Sequence, residues 1–287
     1  MWVGIACGEL EDIRSRDAVK TLRKLPRGLH SLYQELLDTA LSHDKEDNQT
    51  IIQMLSFVAI SRRPLTVAEL SEACQSYRDE DEETRLRFAQ EDIDMCRHMI
   101  IVQDGIVRFL HKSVRDFLVD PRRGSLINDL EAHAALANRC ISHLLYSRHS
   151  VKEMRNRKLQ SEFLGYAVLY WPEHAAFAQT EFSQFSVIRE HESFFQLEPE
   201  EREKWLRMYD LMRFSNIPKG FSIFHVAAKW GIPCLIDFGL TNMTKMAEPI
   251  ASNPCASRKE FDNAAFKAQN GVTPLEEAVR AGQGKLM

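Results

Sequence analysis

Residues 105–118 read GIVRFLHKSVRDFL, a strand pattern that runs through a histidine straight into a helix. Ile106, Arg108 and Leu110 alternate with Val107, Phe109 and His111, the period of two that a half-buried strand imposes. Beyond the histidine, Ser113 with Asp116 three positions on has the form of a capping box, and Val114, Phe117 and Leu118 share one helical face. His111 therefore falls on the joint, beside backbone amides that a helix N-terminus leaves open to an anion. Two readings of it follow: a histidine that bonds its own helix start, or one that contacts a phosphate.

Just upstream, Met99 to Val102 and Ile106 to Leu110 predict a hairpin about Asp104-Gly105, because Asp-Gly suits a turn whose central residues take positive φ. Before it, Thr66 caps a helix running to about Ser76, with Glu69 as the reciprocating residue and Leu65 stapled onto Leu70. The acidic run Asp79 to Glu83 reads as a solvated loop, and Asp92 to Cys96 as a short helix. Leu29, Leu32, Tyr33, Leu36, Leu37, Ala40 and Leu41 form an apolar stripe at helical spacing. A polar loop, HDKEDN, then leads to a buried helix from Thr50 to Ile60, which Pro64 stops. Helices in this order followed by a hairpin make residues 27–122 a winged helix-turn-helix. Further upstream a short helix spans Asp17 to Leu25, and Trp2, Val3, Ile5, Ala6 and Leu10 read as a helix already in progress. The chain is thus expected to begin inside a domain.

Beyond Pro121 the pattern is helical, giving a connector over residues 123–218. Leu130, Ala134, Ala137, Ile141, Leu144 and Leu145 share a face, Phe163 to Tyr170 precedes Trp171-Pro172, and Trp205, Leu206, Tyr209 and Met212 mark a helix from Arg202 to Phe214. From Gly220 the sequence GFSIFHVAAKWGIPCLIDFGL half-returns at Gly271 as NGVTPLEEAVRAGQGK. Thr273 caps the second copy, Pro274 opens its helix and Glu276 reciprocates. Both copies resemble ankyrin repeats, so residues 219–287 are expected to be partial ankyrin repeats with a loop insertion, and an array stopping there lacks a capping unit. The expected class is mainly α: winged-helix domain with a small β-hairpin, helical connector, and incomplete ankyrin-like repeats.

With 287 residues and 44% hydrophobic content, the chain suits roughly two domains. A formal charge of -4 and a pI near 6.2 give no overall pull toward nucleic acid. The candidate recognition helix, Thr66 to Ser76, carries Glu69 and Glu72 and no Lys or Arg, and Arg62 and Arg63 lie outside it. Phosphate neutralisation dominates DNA affinity, so nucleic acid is not expected as a partner. The six cysteines, Cys7, Cys74, Cys96, Cys140, Cys234 and Cys255, form no CxxC pair and read as reduced thiols. The N-terminus has no basic leader, no stretch is long enough to span a bilayer, and no membrane association is expected. No GxSxG or HExxH motif occurs, and Val279 stands where a phosphate loop ending in Gly284-Lys285 needs glycine. His133, Cys140 and His143 offer metal-ligating side chains without a fourth ligand nearby, so neither a metal site nor catalytic residues are expected.

Several segments together resemble the C-terminal part of fungal NACHT-ankyrin proteins, STAND-type NOD-like receptors. WVGIACGELEDIRS and LRKLPRGLHSLYQELL resemble the end of the NACHT helical lid, here residues 1–26, and its passage into the winged helix. LSFVAISRRPLTVAELSEAC and VRFLHKSVRDFL resemble the winged-helix core, a segment labelled after a GPI inositol-deacylase, and YAVLYWPEHA resembles the connector. The lipase serine motif is missing, so that label implies no activity. In the family, the histidine of F-x-H-x-[ST] contacts the β-phosphate of ADP and holds the inactive state; Phe109, His111 and Ser113 match. The resemblance implies that His111 binds ATP/ADP cofactor only with an upstream ATPase domain, this chain alone having none. In the ankyrin TPLH motif threonine and histidine bond one another; Ser222, His225 and Ala227 to Gly231 match in one copy, Gly271, Thr273 to Leu275 and Ala278 in the other. Ile223, Phe224 and Glu276 depart from it. The implied function is a non-catalytic, cytoplasmic regulatory segment with protein partners bound through ankyrin and connector helices, oligomeric only in the full-length receptor. A stand-alone protein-binding scaffold is the alternative.

Overall fold

A computed structural model describes residues 14–24, 28–42, 44–75, 77, 79–120, 126–146, 163–184, 187–195, 200–247, 268 and 271–282. The helix expected from Trp2 to Leu10, Cys7, Cys255, the loop insertion and the Gly284-Lys285 pair lie outside these residues. The protein is mainly α, with a small antiparallel sheet among the described residues, and divides into two compact units, Met1–Ala132 and His133–Met287.

The first unit opens with α1 (Ser15–Lys24), α2 (Leu29–Ala40) and α3 (Lys45–Ile60). The α2 stripe is buried through Leu32, Tyr33, Leu36, Leu37 and Ala40, as its spacing predicts. Helix α3 starts earlier than its apolar residues suggest: Asp44 accepts from the amides of Glu46 at 3.0 Å and Asp47 at 3.1 Å, so the polar stretch becomes the first turn rather than a loop. After β1 (Leu65–Thr66) comes α4 (Val67–Cys74), where Thr66 and Glu69 form the expected capping box.

The acidic run Asp79 to Glu83 is corrected in its second half. Asp79 to Asp81 are exposed and outside any helix, as a solvated loop would be, but Asp81 accepts from the Thr84 amide at 3.1 Å and caps α5 (Glu82–Met95), so Glu82 and Glu83 open a helix of 14 residues. The Thr84 bonds also hold the Asp81 carboxyl below its usual range. Acidic side chains at a helix start meet exposed amides of partial positive charge, which is why a charge run suits that place.

Strands β2 (Ile100–Gln103) and β3 (Ile106–Phe109) form the hairpin, with positive φ of 54° at Asp104 and 75° at Gly105. The sheet has a third strand that periodicity does not announce. The two-residue β1 pairs with β3 in the order β1-β3-β2, so Val107 lies between Leu65 and Val102. The Val67 amide donates to the Gly105 carbonyl at 3.1 Å, fixing the start of α4 to the hairpin turn. Helix α6 (Lys112–Leu118) then buries Val114, Phe117 and Leu118.

Helix α7 (Asp129–Tyr146) carries the chain into the second unit, where α8 (Phe163–Ala178) departs from expectation. It does not end before Trp171-Pro172 but runs on to Ala178, with Pro172 inside. Proline has no amide proton, so the carbonyl four residues back loses its helical donor. That carbonyl belongs to Val168, and the Trp205 indole Nε1–H donates to it at 2.9 Å. The donor comes from α12 (Glu200–Arg213), which follows the short helices α9 (Thr180–Gln184), α10 (Val187–Glu190) and α11 (Glu192–Phe195). Trp205 also meets Trp171 edge-on at 4.9 Å, so one residue both fills the core and satisfies the backbone beside the proline.

Helices α13 (Ile223–Trp230), α14 (Cys234–Ala247) and α15 (Pro274–Arg280) complete the unit. The repeated sequence produces a repeated backbone. Gly220 and Gly271 have φ of 73° and 79°, and Gly231 and Gly282 both have 71°. Each pair is 51 positions apart (271 − 220 and 282 − 231). Between those glycines each copy has a cap residue and a short helix, Ser222 with α13 and Thr273 with α15.

Candidate functional site

His111 has extended backbone, with φ −156° and ψ 153°, and is itself the N-cap of α6. Its Nδ1 accepts from the Ser113 amide at 3.1 Å, and the Ser113 hydroxyl is 3.0 Å from the same nitrogen. The expected box of Ser113 with Asp116 is therefore replaced: the imidazole caps, and Ser113 lies inside the helix as a donor. Ser113 is held in turn by the Tyr33 hydroxyl at 2.8 Å, and Tyr33 packs on Phe117 with centroids 5.6 Å apart. An imidazole that accepts on Nδ1 carries its proton on Nε2. His111 is exposed, and no hydrogen bond to Nε2 is formed among the described residues. The joint thus offers one fixed N–H donor at the surface, oriented by a helix amide and a tyrosine from another helix. Tyr33 is invisible as a site residue in sequence, where it reads as one member of the α2 stripe.

On α4 both acidic side chains are engaged by arginines. Glu69 is buried and takes a fork from Arg63, with Nη1 to Oε2 at 2.7 Å, while also accepting from the Thr66 amide at 3.0 Å. Glu72 pairs with Arg85 at 2.5 Å. The two acids of α4 are thus neutralised rather than bare, and the nearby arginines are engaged by them.

His133, Cys140 and His143 do not form a ligand cluster among the described residues. Cys140 is fully buried, and its thiol is pushed well above the ordinary value by desolvation. His143 meets the Phe163 ring edge-on at 5.4 Å. His133 instead joins a buried partner that spacing did not reveal: its Nδ1 lies 2.7 Å from Nδ1 of His174, whose Nε2 is 2.8 Å from the Tyr166 hydroxyl. Among the described residues no group of three or more His, Cys, Asp or Glu is arranged to hold a metal.

In the repeated region His225 makes a second helix-start contact. Its Nδ1 accepts from the Ser222 amide at 3.1 Å and faces the Ser222 hydroxyl at 2.7 Å, while Nε2 donates to the Val272 carbonyl at 3.0 Å. Burial holds its pKa below the ordinary value, keeping the ring neutral. At the equivalent place in the second copy, Glu276 accepts from the Thr273 amide at 2.7 Å and is exposed. Lys229 of the first helix and Glu277 of the second add an ion pair at 2.6 Å.

These features define a class: a mainly helical protein with a small three-stranded sheet, a histidine-capped joint and a pair of repeated helical units. No helix among its described residues is long and apolar enough to cross a membrane. No family model matches the chain, and no solved structure matches it. It is similar to the vegetative incompatibility protein HET-E-1 of the fungus Podospora anserina, with 31% identity over 121 residues. The match covers 42% of this chain but only 9% of that protein, so the chain is a partial relative of a fungal incompatibility protein.

Proposed function

We propose that this chain is a regulatory and protein-interaction segment of a fungal NACHT-type signalling receptor. Residues 27–122 act as its winged helix, restraining the ADP state of an ATPase core, and the ankyrin-type units bind a protein partner. The observation that carries this reading is the His111 joint. Its Nε2–H is exposed and held in one orientation, the form in which an imidazole donates to a phosphate oxygen. The similarity to a fungal incompatibility protein supports the receptor context. In this reading the segment performs no catalytic step and lies in the cytoplasm. ATP or ADP belongs to the ATPase core, with His111 contributing one contact, and exchange of nucleotide shifts the population between closed and open receptor.

Two substitutions in the full-length receptor separate phosphate contact from capping. His111→Asp keeps an acceptor for the Ser113 amide but places negative charge toward a phosphate, and His111→Ala removes both roles. Weaker ADP binding and raised basal signalling in both variants support the reading. Unchanged ADP affinity in His111→Asp overturns it and leaves His111 as a cap in a protein-binding scaffold.

A further inference from the structure

Tyr33 places a hydroxyl in the middle of an apolar stripe. It is 1% exposed, with Leu32, Leu36, Leu37 and Ala40 buried beside it on α2. Its ring packs on Phe117 of α6 at 5.6 Å, and His30, one turn earlier, meets the same phenylalanine at 6.1 Å. A hydroxyl at that depth requires a hydrogen-bond partner, and the Ser113 hydroxyl lies 2.8 Å away, 80 positions along the chain.

The order of donors along this contact is fixed from its far end. The Ser113 amide donates to His111 Nδ1 at 3.1 Å, so that nitrogen is an acceptor. The Ser113 hydroxyl, 3.0 Å from the same nitrogen, then makes its contact only as a donor. Its oxygen is left to accept, and the Tyr33 hydroxyl supplies the proton. The relay thus runs in one direction, from Tyr33 O–H to Ser113 O–H to Nδ1, and each donor polarises the next. Both Ser113 donors converge on one lone pair of an exposed ring. Turning that ring over, or moving its proton to Nδ1, breaks both contacts.

We propose that Tyr33 is a positioning residue that makes the His111 donor conditional on the seating of α2. With α2 seated on Phe117, the relay holds the ring with Nε2–H at the surface. A displacement of Tyr33 by about 1 Å stretches a bond of this length beyond hydrogen-bonding reach and releases the Ser113 hydroxyl. The ring then keeps the amide contact alone and is less firmly oriented. The inference rests on the phosphate reading of His111 and adds its regulation: whatever shifts α2 loosens the phosphate contact without touching it.

The relay is read on the full chain, without nucleotide, from the ring nitrogen resonances of His111 in long-range proton–nitrogen correlation spectra recorded in mildly alkaline buffer. Two well-separated nitrogens are expected in the wild type, the pattern of a single Nε2–H form. Tyr33→Phe stands in for an unseated α2: it keeps the ring on Phe117 and removes only the hydroxyl. Ser113→Ala keeps Tyr33 and its packing, and each variant should draw the two resonances together as the forms exchange. Ser113→Thr retains a hydroxyl and should keep the wild-type pattern, and adding Tyr33→Phe to Ser113→Ala should change nothing more, because Tyr33 acts through Ser113. A wild-type spectrum in Tyr33→Phe, or a further shift in the double variant, overturns the proposal. In the full-length receptor Tyr33→Phe should weaken ADP binding about five-fold, the net size of one hydrogen bond. Unchanged ADP affinity in Tyr33→Phe while His111→Asp loses affinity also overturns the proposal. Unchanged affinity in both overturns the phosphate reading instead, and the ring resonances then decide whether Tyr33 positions His111.

Discussion

His111 and His225 are the same device in two settings. Each stands at a helix start, accepts on Nδ1 from a nearby backbone amide, and carries its proton on Nε2. His225 is buried and its Nε2–H is satisfied by the Val272 carbonyl, so it ties one repeated unit to the next across 47 positions of sequence. His111 is exposed and keeps its Nε2–H at the surface. The same Nδ1 contact to a helix-start amide turns Nε2 outward as the donor in both; burial decides whether that donor is a staple or an offer. The first should matter to stability, the second to recognition.

The largest effect that tests this contrast is His225→Ala. It leaves the Val272 carbonyl and Ser222 amide without their partner inside a packed core, and should lower stability by about 3 kcal/mol in urea denaturation. A loss under about 1 kcal/mol would break the contrast. Acid should act at the same place. The His225 pKa is depressed, mainly by desolvation, as is that of His191. The unfolded chain therefore binds these protons more readily. Their contribution is fully present above the unfolded value of about 6.5 and is lost as pH falls from there through the depressed native values. Thermal melts of wild type should show this decline, and His225→Ala should flatten it.

Trp205→Phe asks whether a buried carbonyl without a helical donor obeys the same rule. Val168 would lose its indole donor, at a cost of about 2 kcal/mol, and adding Pro172→Ala should restore part of it by returning a backbone amide. If the double variant were no more stable than Trp205→Phe, the proline would not be the reason for the indole bond.

At the exposed joint the effects are smaller. His111→Ala should cost about 1 kcal/mol as a lost cap, and His111→Asp less than about 0.5 kcal/mol, measured in the same denaturation experiments. A change of opposite sign is expected at Asp92. Its carboxyl is raised by burial and by the charges of Asp47 and Glu91, while Tyr77, donating to it at 3.0 Å, is itself pushed up to about 12 by burial and by Asp92. The native state thus holds the Asp92 proton more tightly than the unfolded chain does. That favourable contribution is present below roughly pH 3.9 and is lost as pH rises through the native value. Asp92→Asn should therefore stabilise the protein at pH 7 by about 1 kcal/mol and show no gain at pH 3.

The elements whose evidence lies along one chain segment were legible. The α2 stripe, the Asp104-Gly105 turn and the Thr66–Glu69 box rest on spacing, and spacing is what sequence records. Helix starts were harder, because Asp44 and Asp81 act through hydrogen bonds that hydrophobic periodicity does not register. The order of residues at the joint is legible, but a serine followed by an acid has the usual cap form, and so the sequence points to Ser113 where His111 is the cap. The imidazole won because extended backbone at His111 brings Nδ1 to the Ser113 amide, which leaves the serine hydroxyl to Tyr33.

By itself the sequence determined the mainly helical class, the position of the hairpin, the histidine at a strand-to-helix joint and the recurrence of one unit 51 residues on. These are properties of period, turn chemistry and repetition, each encoded within a few residues of where it acts. Tertiary structure alone decided that β1 joins the hairpin, that Trp205 serves the carbonyl beside Pro172, and that His174 meets His133. Each of these is set by groups distant in sequence, whose burial and hydrogen-bond partners exist only once the helices have packed.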